Sequence, residues 1–240
     1  MKKILLFFLL STLLLASACR SDGSKEKARY TFTDSQGREV EVYSYEKTAV
    51  ISGSLAEIWQ LAGGALYGIT NDAYDGHALE LPEDVKNYGD VKNPSVEKMI
   101  ADGVDFAILS GSIANHLKLE EVLESAGITT AYFDVENFED YLSVLKICTD
   151  ITERKDLYIK NGEDIRERVE AAIGRSQERE KPSVLLLRAY SSGIKVKAAD
   201  NMTGQMLADL GCVNIADSEN SLLEELSLEA IMRADPELIF

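Results

Sequence analysis

A long amphipathic stretch near the middle of the chain is the feature that most restricts its fold. Residues 152–176 place Leu157, Ile165, Val169 and Ile173 on one stripe of a helix, and the opposite face is rich in Glu, Lys and Arg. A helix of this length extends about 37 Å, because each residue adds about 1.5 Å. Segments of alternating strands and helices lie on both sides of it. The pattern predicts two lobes joined by one rigid helix.

Before this helix, short apolar runs alternate with short helical patterns. A period-two pattern around a Gly-containing turn predicts a hairpin from residues 30–33 and 39–43. Further strands are predicted at 48–51, 66–70, 106–109 and 128–133, and helices from 54, at 95–101, at 119–126 and at 138–148. Strands that alternate with helices are typical of a parallel sheet covered by helices on its faces.

Internal repeats divide the chain in the same way. Residues 95–106 and 227–238 each show a Ser cap, an acidic second helical residue, a short apolar helix, a turn and a strand. A looser similarity pairs residues 55–63 with 203–211. The predicted fold class is therefore α/β, with two Rossmann-like lobes of parallel sheet joined by the long helix.

The predicted domain boundaries follow from these elements. We expect a signal peptide at 1–18, a lipidated tether at 19–29, an N-terminal lobe at 30–137, an interlobe helical segment at 138–180 and a C-terminal lobe at 181–240. The second lobe begins with a strand at 184–187 and is much shorter than the first. The chain stops inside an apolar run, so we expect this lobe to be truncated and incomplete.

The first residues have the pattern of an export signal. Lys2 and Lys3 precede an apolar run at 4–15, and small residues at 16–18 lie directly before Cys19. The apolar run is too short to span a bilayer comfortably. A cysteine in this position predicts a lipoprotein in which Cys19 carries the lipid; a plain secreted protein is the alternative.

The charge balance argues against a nucleic-acid-binding surface. The chain has 41 acidic and 25 basic residues, a formal net charge of −16, whereas phosphate binding needs clustered Lys and Arg. No C-x-x-C pair occurs, and a bridge between Cys148 and Cys212 is left open. His77 and His116 are interpreted as surface residues. The sequence lacks nucleophile-elbow, phosphate-loop and zincin motifs, so we expect no enzyme, no cofactor and no metal site.

Polar residues follow the predicted strands where a ligand crevice is expected, because open α/β sheets bind ligands at the carboxyl ends of their strands. The Arg188 guanidinium offers forked hydrogen bonds to carboxylate, catecholate or hydroxamate oxygens. Tyr190 offers an apolar ring and a hydroxyl group. The predicted cleft residues are Ser52, Ser54, Tyr74, Ser110, Arg188 and Tyr190.

Each of these residues also has a simpler interpretation. Ser54 and Glu57 have the spacing of a capping box, so Ser54 is also explained as a helix cap. Tyr74 and Tyr190 are also explained by packing at a rim, and Arg188 by an exposed loop charge.

Four segments of the chain resemble the substrate-binding proteins of ABC importers for iron complexes and cobalamin. They are residues 30–40, 49–63, 88–99 and 226–240. The resemblance implies a lipid-anchored protein on the outer face of the cell membrane, or a periplasmic protein. Such a protein holds a metal chelate between its lobes and delivers it to a membrane permease with its ATPase subunits.

The resemblance also assigns a role to two glutamates. In that family one exposed Glu on each lobe forms salt bridges with arginines of the permease, and the matching positions here are Glu97 and Glu229. A Glu in the first turn of a helix also complements the helix dipole, which is the alternative. We expect a monomer that captures a ferric siderophore-like chelate. Haem or cobalamin as the ligand, or an extracytoplasmic sensor or enzyme with the same architecture, are the alternatives.

Overall fold

The computed structural model describes residues 27–191, 193–218 and 227–240. The predicted signal peptide at 1–18, the predicted lipidation site Cys19 and most of the predicted tether lie outside these residues. Within the described ranges, no helix is long and apolar enough to cross a membrane.

The strands and helices of the N-terminal part are short. The strands are β1 (Tyr30–Thr33), β2 (Glu39–Val42), β3 (Thr48–Val50), β4 (Gly68–Ile69), β5 (Lys86–Asn87), β6 (Gly89–Asp90), β7 (Asn93–Pro94), β8 (Phe106–Ser110) and β9 (Thr129–Phe133). The helices are α1 (Gly53–Leu61), α2 (Val96–Ala101), α3 (Glu120–Ser125) and α4 (Phe138–Ile151), with 3-10 turns at Asn71–Tyr74 and His116–Lys118.

The first sheet is parallel throughout, in the order β5-β4-β3-β8-β9. Its central strands are buried on both faces, because helices cover the sheet on both sides. Val50 and Ile108 point into one core, whereas Ala49 and Leu109 point into the other. The β1–β2 hairpin contributes Phe32 to the first of these cores. The predicted parallel sheet with helices on its faces is confirmed.

The helical segment after β9 has two parts. Helix α4 packs on the first sheet through Val144, Leu145 and Cys148. A continuous helical run follows, here called the connecting helix. It consists of α5 (Lys155–Tyr158), a π-helical turn (Ile159–Glu163) and α6 (Asp164–Gln177).

The π-helical turn lies against the helices of the first sheet. Asn161 Nδ2 donates to the carbonyl oxygen of Leu61 at 2.8 Å, and the phenol of Tyr141 donates to the carbonyl oxygen of Asn161 at 2.7 Å. Gly162 is buried, and a methyl group there would come within 3.3 Å of Leu145. These contacts fix the N-terminal half of the connecting helix to the first sheet. The predicted long helix therefore exists, but it begins at Lys155 rather than Thr152 and changes its hydrogen-bond spacing within one turn.

A second, smaller sheet follows the connecting helix. Its strands are β10 (Ser183–Tyr190), β11 (Gly193–Lys197), β12 (Val213–Asn214) and β13 (Leu238–Ile239), and its helices are α7 (Met202–Asp209) and α8 (Leu228–Ala234). Strand β10 pairs in parallel with β12 and β13, and antiparallel with β11. Val184 and Leu185 point into different cores, so this sheet is also covered on both faces. Strand β11 and the extension of β10 to Tyr190 were not predicted.

The repeated segments have the same local structure. Ser95 accepts a hydrogen bond from the third residue of α2, and Ser227 accepts one from the third residue of α8. Gly103 and Asp235 occupy equivalent positions after the two helices, and both have a positive φ, at 69° and 43°. The following strand then pairs in parallel with the first strand of its sheet. Both sheets therefore contain one copy of the same helix–turn–strand unit.

Candidate functional site

The carboxyl ends of β3, β4 and β8 form one polar edge of the first sheet. Ser52 follows β3, Thr70 follows β4 and Ser110 is the last residue of β8. All three residues are buried. They lie at the same edge because the three strands are parallel, and this is the edge at which α/β sheets bind ligands. The structure thus places Ser52 and Ser110 at the expected edge.

Helix α1 is capped by a carboxylate from the neighbouring loop. The backbone N–H of Gly53 donates to Asp72 Oδ2 at 2.8 Å, and Thr70 Oγ1 donates to Asp72 Oδ1 at 2.7 Å. An acidic side chain at this position satisfies a free backbone donor and complements the positive end of the helix dipole. Asp72 therefore connects the loop after β4 to the start of α1.

The predicted capping box at Ser54 is wrong. The helix begins at Gly53, and its N-cap residue Ser52 makes no side-chain cap hydrogen bond. Ser54 is exposed in the first turn, with its Oγ 3.0 Å from that of Ser52. Glu57 instead accepts a hydrogen bond from the backbone N–H of Ala78 at 2.7 Å. Ser54 is thus available at the edge as an exposed hydroxyl group.

The loop after β4 brings aromatic side chains to the same helix end. His77 Nδ1 lies 3.3 Å from Glu57 Oε2, and the His77 side chain is only 23% exposed. Its ring packs so closely on Gly53 that a methyl group there would lie 2.5 Å from the ring. Tyr74, in the same loop, is 49% exposed. His77 is therefore a partly buried component of the edge rather than a surface residue, and Tyr74 lies at its rim.

His116 is fully buried, which corrects its interpretation as a surface residue. Its Nδ1 accepts a hydrogen bond from the Ser110 N–H at 3.1 Å, and its Nε2 lies 2.5 Å from the carbonyl oxygen of Val91. This pair of contacts defines a neutral ring with the proton on Nε2. Burial lowers the pKa of His116, against the opposing effects of the Val91 contact and the Asp72 charge.

His116 thereby positions the hydroxyl groups at the end of β8. The Ser110 and Ser112 oxygens are 2.8 Å apart, and Ser112 N–H donates to Ser110 Oγ. Tyr132 donates to the carbonyl oxygen of His116 at 2.8 Å, which fixes the loop to β9. No period or spacing of residues in the sequence identifies this buried histidine.

Arg188 and Tyr190 lie on β10, within the hairpin that it forms with β11. They were predicted to follow the strand, but the strand continues through them. Both side chains are exposed, and the Arg188 guanidinium carbon lies 5.2 Å from the centre of the Tyr190 ring. A guanidinium is planar in itself, and one that lies over a ring face still has its N–H groups available for forked hydrogen bonds.

Glu97 and Glu229 occupy equivalent positions in the repeated unit. Each is the second residue of its helix and is exposed. Glu229 lies 3.1 Å from Arg233, in an ion pair whose side chains are 76% and 86% exposed. A pair this exposed contributes little to stability and leaves Glu229 accessible to a partner.

Cys148 and Cys212 are free thiols, so the structure does not support a bridge between them. Cys148 is buried in the first core, and burial raises the pKa of its thiol to about 12. In the part of the chain that the structure describes, no group of three His, Cys, Asp or Glu side chains has an arrangement that would bind a metal ion.

These features define a class of protein: a two-sheet α/β protein with polar strand ends on each sheet and a long helix between the sheets. A family model described as periplasmic binding protein matches residues 49–240. The chain therefore belongs to the periplasmic binding protein family. The family consists of binding proteins rather than enzymes, which gives this chain a substrate-binding role.

Solved structures share the fold at low sequence identity. FepB from Veillonella parvula, a TroA-like periplasmic binding protein, has a TM-score of 0.70 at 16% identity, over 87% of this chain and 68% of that one. DesE from Streptomyces coelicolor, a ferric-siderophore receptor, has a TM-score of 0.68 at 15% identity, over 88% and 79%. RhuT from Roseiflexus sp. RS-1, a periplasmic haem-binding protein, has a TM-score of 0.65 at 16% identity, over 82% and 76%.

At these identities the likeness establishes the fold alone. A search of curated proteins found no match to this sequence.

Proposed function

We propose that this protein is the extracytoplasmic substrate-binding component of an ABC importer and that it captures a ferric siderophore-like chelate. The observation that carries the proposal is the chemistry of the two strand edges. Hydroxyl groups of Ser52, Ser54 and Ser110 lie at the first edge, and Arg188 with Tyr190 lies at the second. Such groups suit an oxygen-rich ligand with aromatic or carboxylate parts.

The proposed domain arrangement keeps the predicted boundaries, with lobes at 30–137 and 181–240 and the helical segment at 138–180. In this arrangement the two polar edges enclose the ligand. The two-sheet fold and the continuous connecting helix support it. The similar fold of a ferric-siderophore receptor supports the choice of ligand.

The proposed partners are a membrane permease and its ATPase subunits. Glu97 and Glu229 would dock on the permease, which their exposure and equivalent positions support. We further propose that the protein is exported, lipidated at Cys19 and held as a monomer at the outer face of the cell membrane, or in the periplasm. The signal-like N-terminal sequence supports export.

Haem is the second candidate ligand, because the fold is shared with a haem-binding protein. Haem iron takes an axial His or Tyr ligand. Both ring nitrogens of His116 are already engaged, so this ligand would have to be His77, Tyr74 or Tyr190. Cobalamin remains a further candidate, and a sensor with this architecture would bind a ligand without delivering it.

The test is direct retention of ligand by the purified full-length chain. Ferric catecholate, ferric hydroxamate, haem and cobalamin each absorb visible light, so their co-elution with the protein on gel filtration is measured without a label. Retention of a ferric chelate in a stoichiometric complex is the expected result. Retention of haem alone would move the assignment to the second candidate, and failure to retain any of the four would contradict importer function for these ligands.

A further inference from the structure

One face of the β10–β11 hairpin carries three cationic side chains. In the antiparallel register Arg188 lies opposite Lys195, Leu186 opposite Lys197 and Tyr190 opposite Gly193. Residues directly opposite each other on paired strands share a face, and alternate residues along a strand do so too. Arg188, Lys195 and Lys197 therefore lie on the same face as Tyr190. We call this surface the cationic hairpin face.

In the part of the chain that the structure describes, the charges on this face form no ion pairs. Arg188 and Lys195 are exposed, and Lys197 is half-buried. Among residues 27–191, 193–218 and 227–240, no carboxylate lies within 4.0 Å of their charged nitrogens. The chain as a whole has 41 acidic and 25 basic residues. A cluster of three basic side chains therefore has the opposite sign to the net charge of the protein.

The arrangement has an energetic cost in the absence of a ligand. Like charges directly opposite each other on neighbouring strands are destabilising, and Arg188 lies opposite Lys195. Lysines on an exposed edge strand do protect against edge-to-edge aggregation. That role explains Lys195 and Lys197, which lie on the edge strand β11, but it does not require Arg188 to lie directly opposite Lys195. An anion bound to the face would remove the repulsion.

The position of the hairpin places these charges at a ligand-binding edge. The parallel partners β12 and β13 pair with β10 only at residues 183–185. The paired residues of the hairpin extend from Leu186 to Tyr190, toward the carboxyl end of β10. Ligands of α/β sheets bind at that end of the strands.

We propose that the cationic hairpin face selects metal chelates with a net negative charge, of the catecholate or carboxylate type, over neutral chelates of the hydroxamate type. The inference rests on the proposed function and narrows it to one class of ligand. Arg188 forms forked hydrogen bonds with chelate oxygens and stacks on Tyr190. Lys195 and Lys197 supply two further charges at the same face.

The experiment measures affinity by equilibrium dialysis for three probes: ferric tris-catecholate, ferric citrate and the neutral trihydroxamate ferrichrome. The test variant is the double substitution Lys195→Gln and Lys197→Gln. The control variant, Lys155→Gln and Lys181→Gln, removes the same charge at exposed positions outside the hairpin. We expect the test variant to weaken binding of the anionic probes by about tenfold or more, since it removes two charge-assisted hydrogen-bond donors. The control variant should bind them as the parent protein does.

Salt provides an independent readout. Affinity for ferric tris-catecholate should fall as ionic strength rises, because exposed charges are screened within about 10 Å at 0.1 M salt. Equal thermal midpoints of both double variants would show that the hairpin is still folded. Binding of ferrichrome with an affinity equal to that of the anionic probes, or haem as the single bound ligand, would overturn the inference and leave the binding function intact. If the protein bound none of the probes, both the inferred selectivity for anionic chelates and the proposed binding function would be contradicted.

Discussion

Asp72 is the residue that determines how α1 begins. Its two carboxylate oxygens accept hydrogen bonds from Gly53 N–H and Thr70 Oγ1, and it thereby holds the loop after β4 against the strand edge. Ser54 has the sequence signature of a cap, but the helix begins one residue before it and its N-cap residue Ser52 makes no side-chain cap hydrogen bond. A carboxylate that is distant in sequence has therefore replaced the local cap.

We predict that Asp72→Ala lowers the free energy of unfolding by about 1–2 kcal/mol, since loss of a capping acceptor costs this much. Ser54→Ala should change it by less than about 0.5 kcal/mol, as is usual for an exposed residue. Urea denaturation of the two variants under the same conditions measures the difference. Equal effects of the two substitutions would show that Asp72 is not the cap.

His116 makes stability depend on pH. Its folded pKa is lowered by burial, so in the window below the unfolded value of about 6.5 the unfolded chain binds more protons than the folded one. The His116 contribution is therefore complete above this value and is lost as the pH falls toward the folded pKa.

We expect the parent protein to lose stability between pH 7.5 and 5.5, and His116→Asn to lose much less over the same range. At pH 7.5 the variant should be less stable by about 1–3 kcal/mol, because an unsatisfied buried polar group costs this much. His77→Asn is the matched control, since His77 is partly exposed. A parent protein whose urea midpoint is constant across the window would contradict the assignment.

At the scale of elements, two helical glycines have opposite environments. Gly174 lies inside α6, and nothing lies within 4 Å of the position that a Cβ would occupy. Gly204 lies in the first turn of α7, where a Cβ would overlap the carbonyl oxygen of Ala198, closer than van der Waals contact allows. The same substitution should therefore have opposite effects at the two sites.

Gly174→Ala should raise the free energy of unfolding by about 0.5–1 kcal/mol, because glycine costs this much inside a helix. Gly204→Ala should lower it by about 1–3 kcal/mol, as is typical of an overpacked position. Thermal unfolding followed by circular dichroism measures both changes. Destabilisation by Gly174→Ala would show that the space beside Gly174 in α6 is occupied.

Most elements were predictable because they depend on local patterns. The strand at 106–109 and the helix at 95–101 each differ from the structure by one residue at one end. Strand β11 was missed although Ile194 and Val196 alternate with Lys195 and Lys197, which is a period-two pattern. The π-helical turn was not predictable, because it depends on packing of Gly162 against α4.

The site was less predictable than the fold, because several of its contacts join residues that are distant in the sequence. The positions of Ser52 and Ser110 follow from the ends of strands, and these can be located in a sequence. Asp72, His77 and His116 act through partners at other positions in the chain, such as Gly53 and Ser110. Contacts of that kind depend on how loops fold over the strand ends, which local patterns do not encode.

At the scale of the whole molecule, the repeated unit places one exposed carboxylate on a helix beside each of the two sheets. Glu97 and Glu229 share the same helix position, the same Ser cap and the same following strand. A carboxylate in the first turn is stabilised by the helix dipole, but that effect requires neither exposure nor repetition. Two equivalent acidic sites would instead orient the protein on a permease with two basic sites.

We predict that the double substitution Glu97→Lys and Glu229→Lys abolishes uptake of ligand in cells while the purified variant retains its affinity for that ligand. The control is Glu121→Lys with Glu167→Lys, which makes the same charge change at exposed helix positions outside the repeated unit. It should support normal uptake, because mispaired like charges are costly only at the docking contact. Uptake of radioactive ferric chelate measures transport, and equilibrium dialysis measures binding. Normal uptake by the Glu97/Glu229 variant would show that these residues do not dock, and a parallel loss of binding would show that they act in ligand capture.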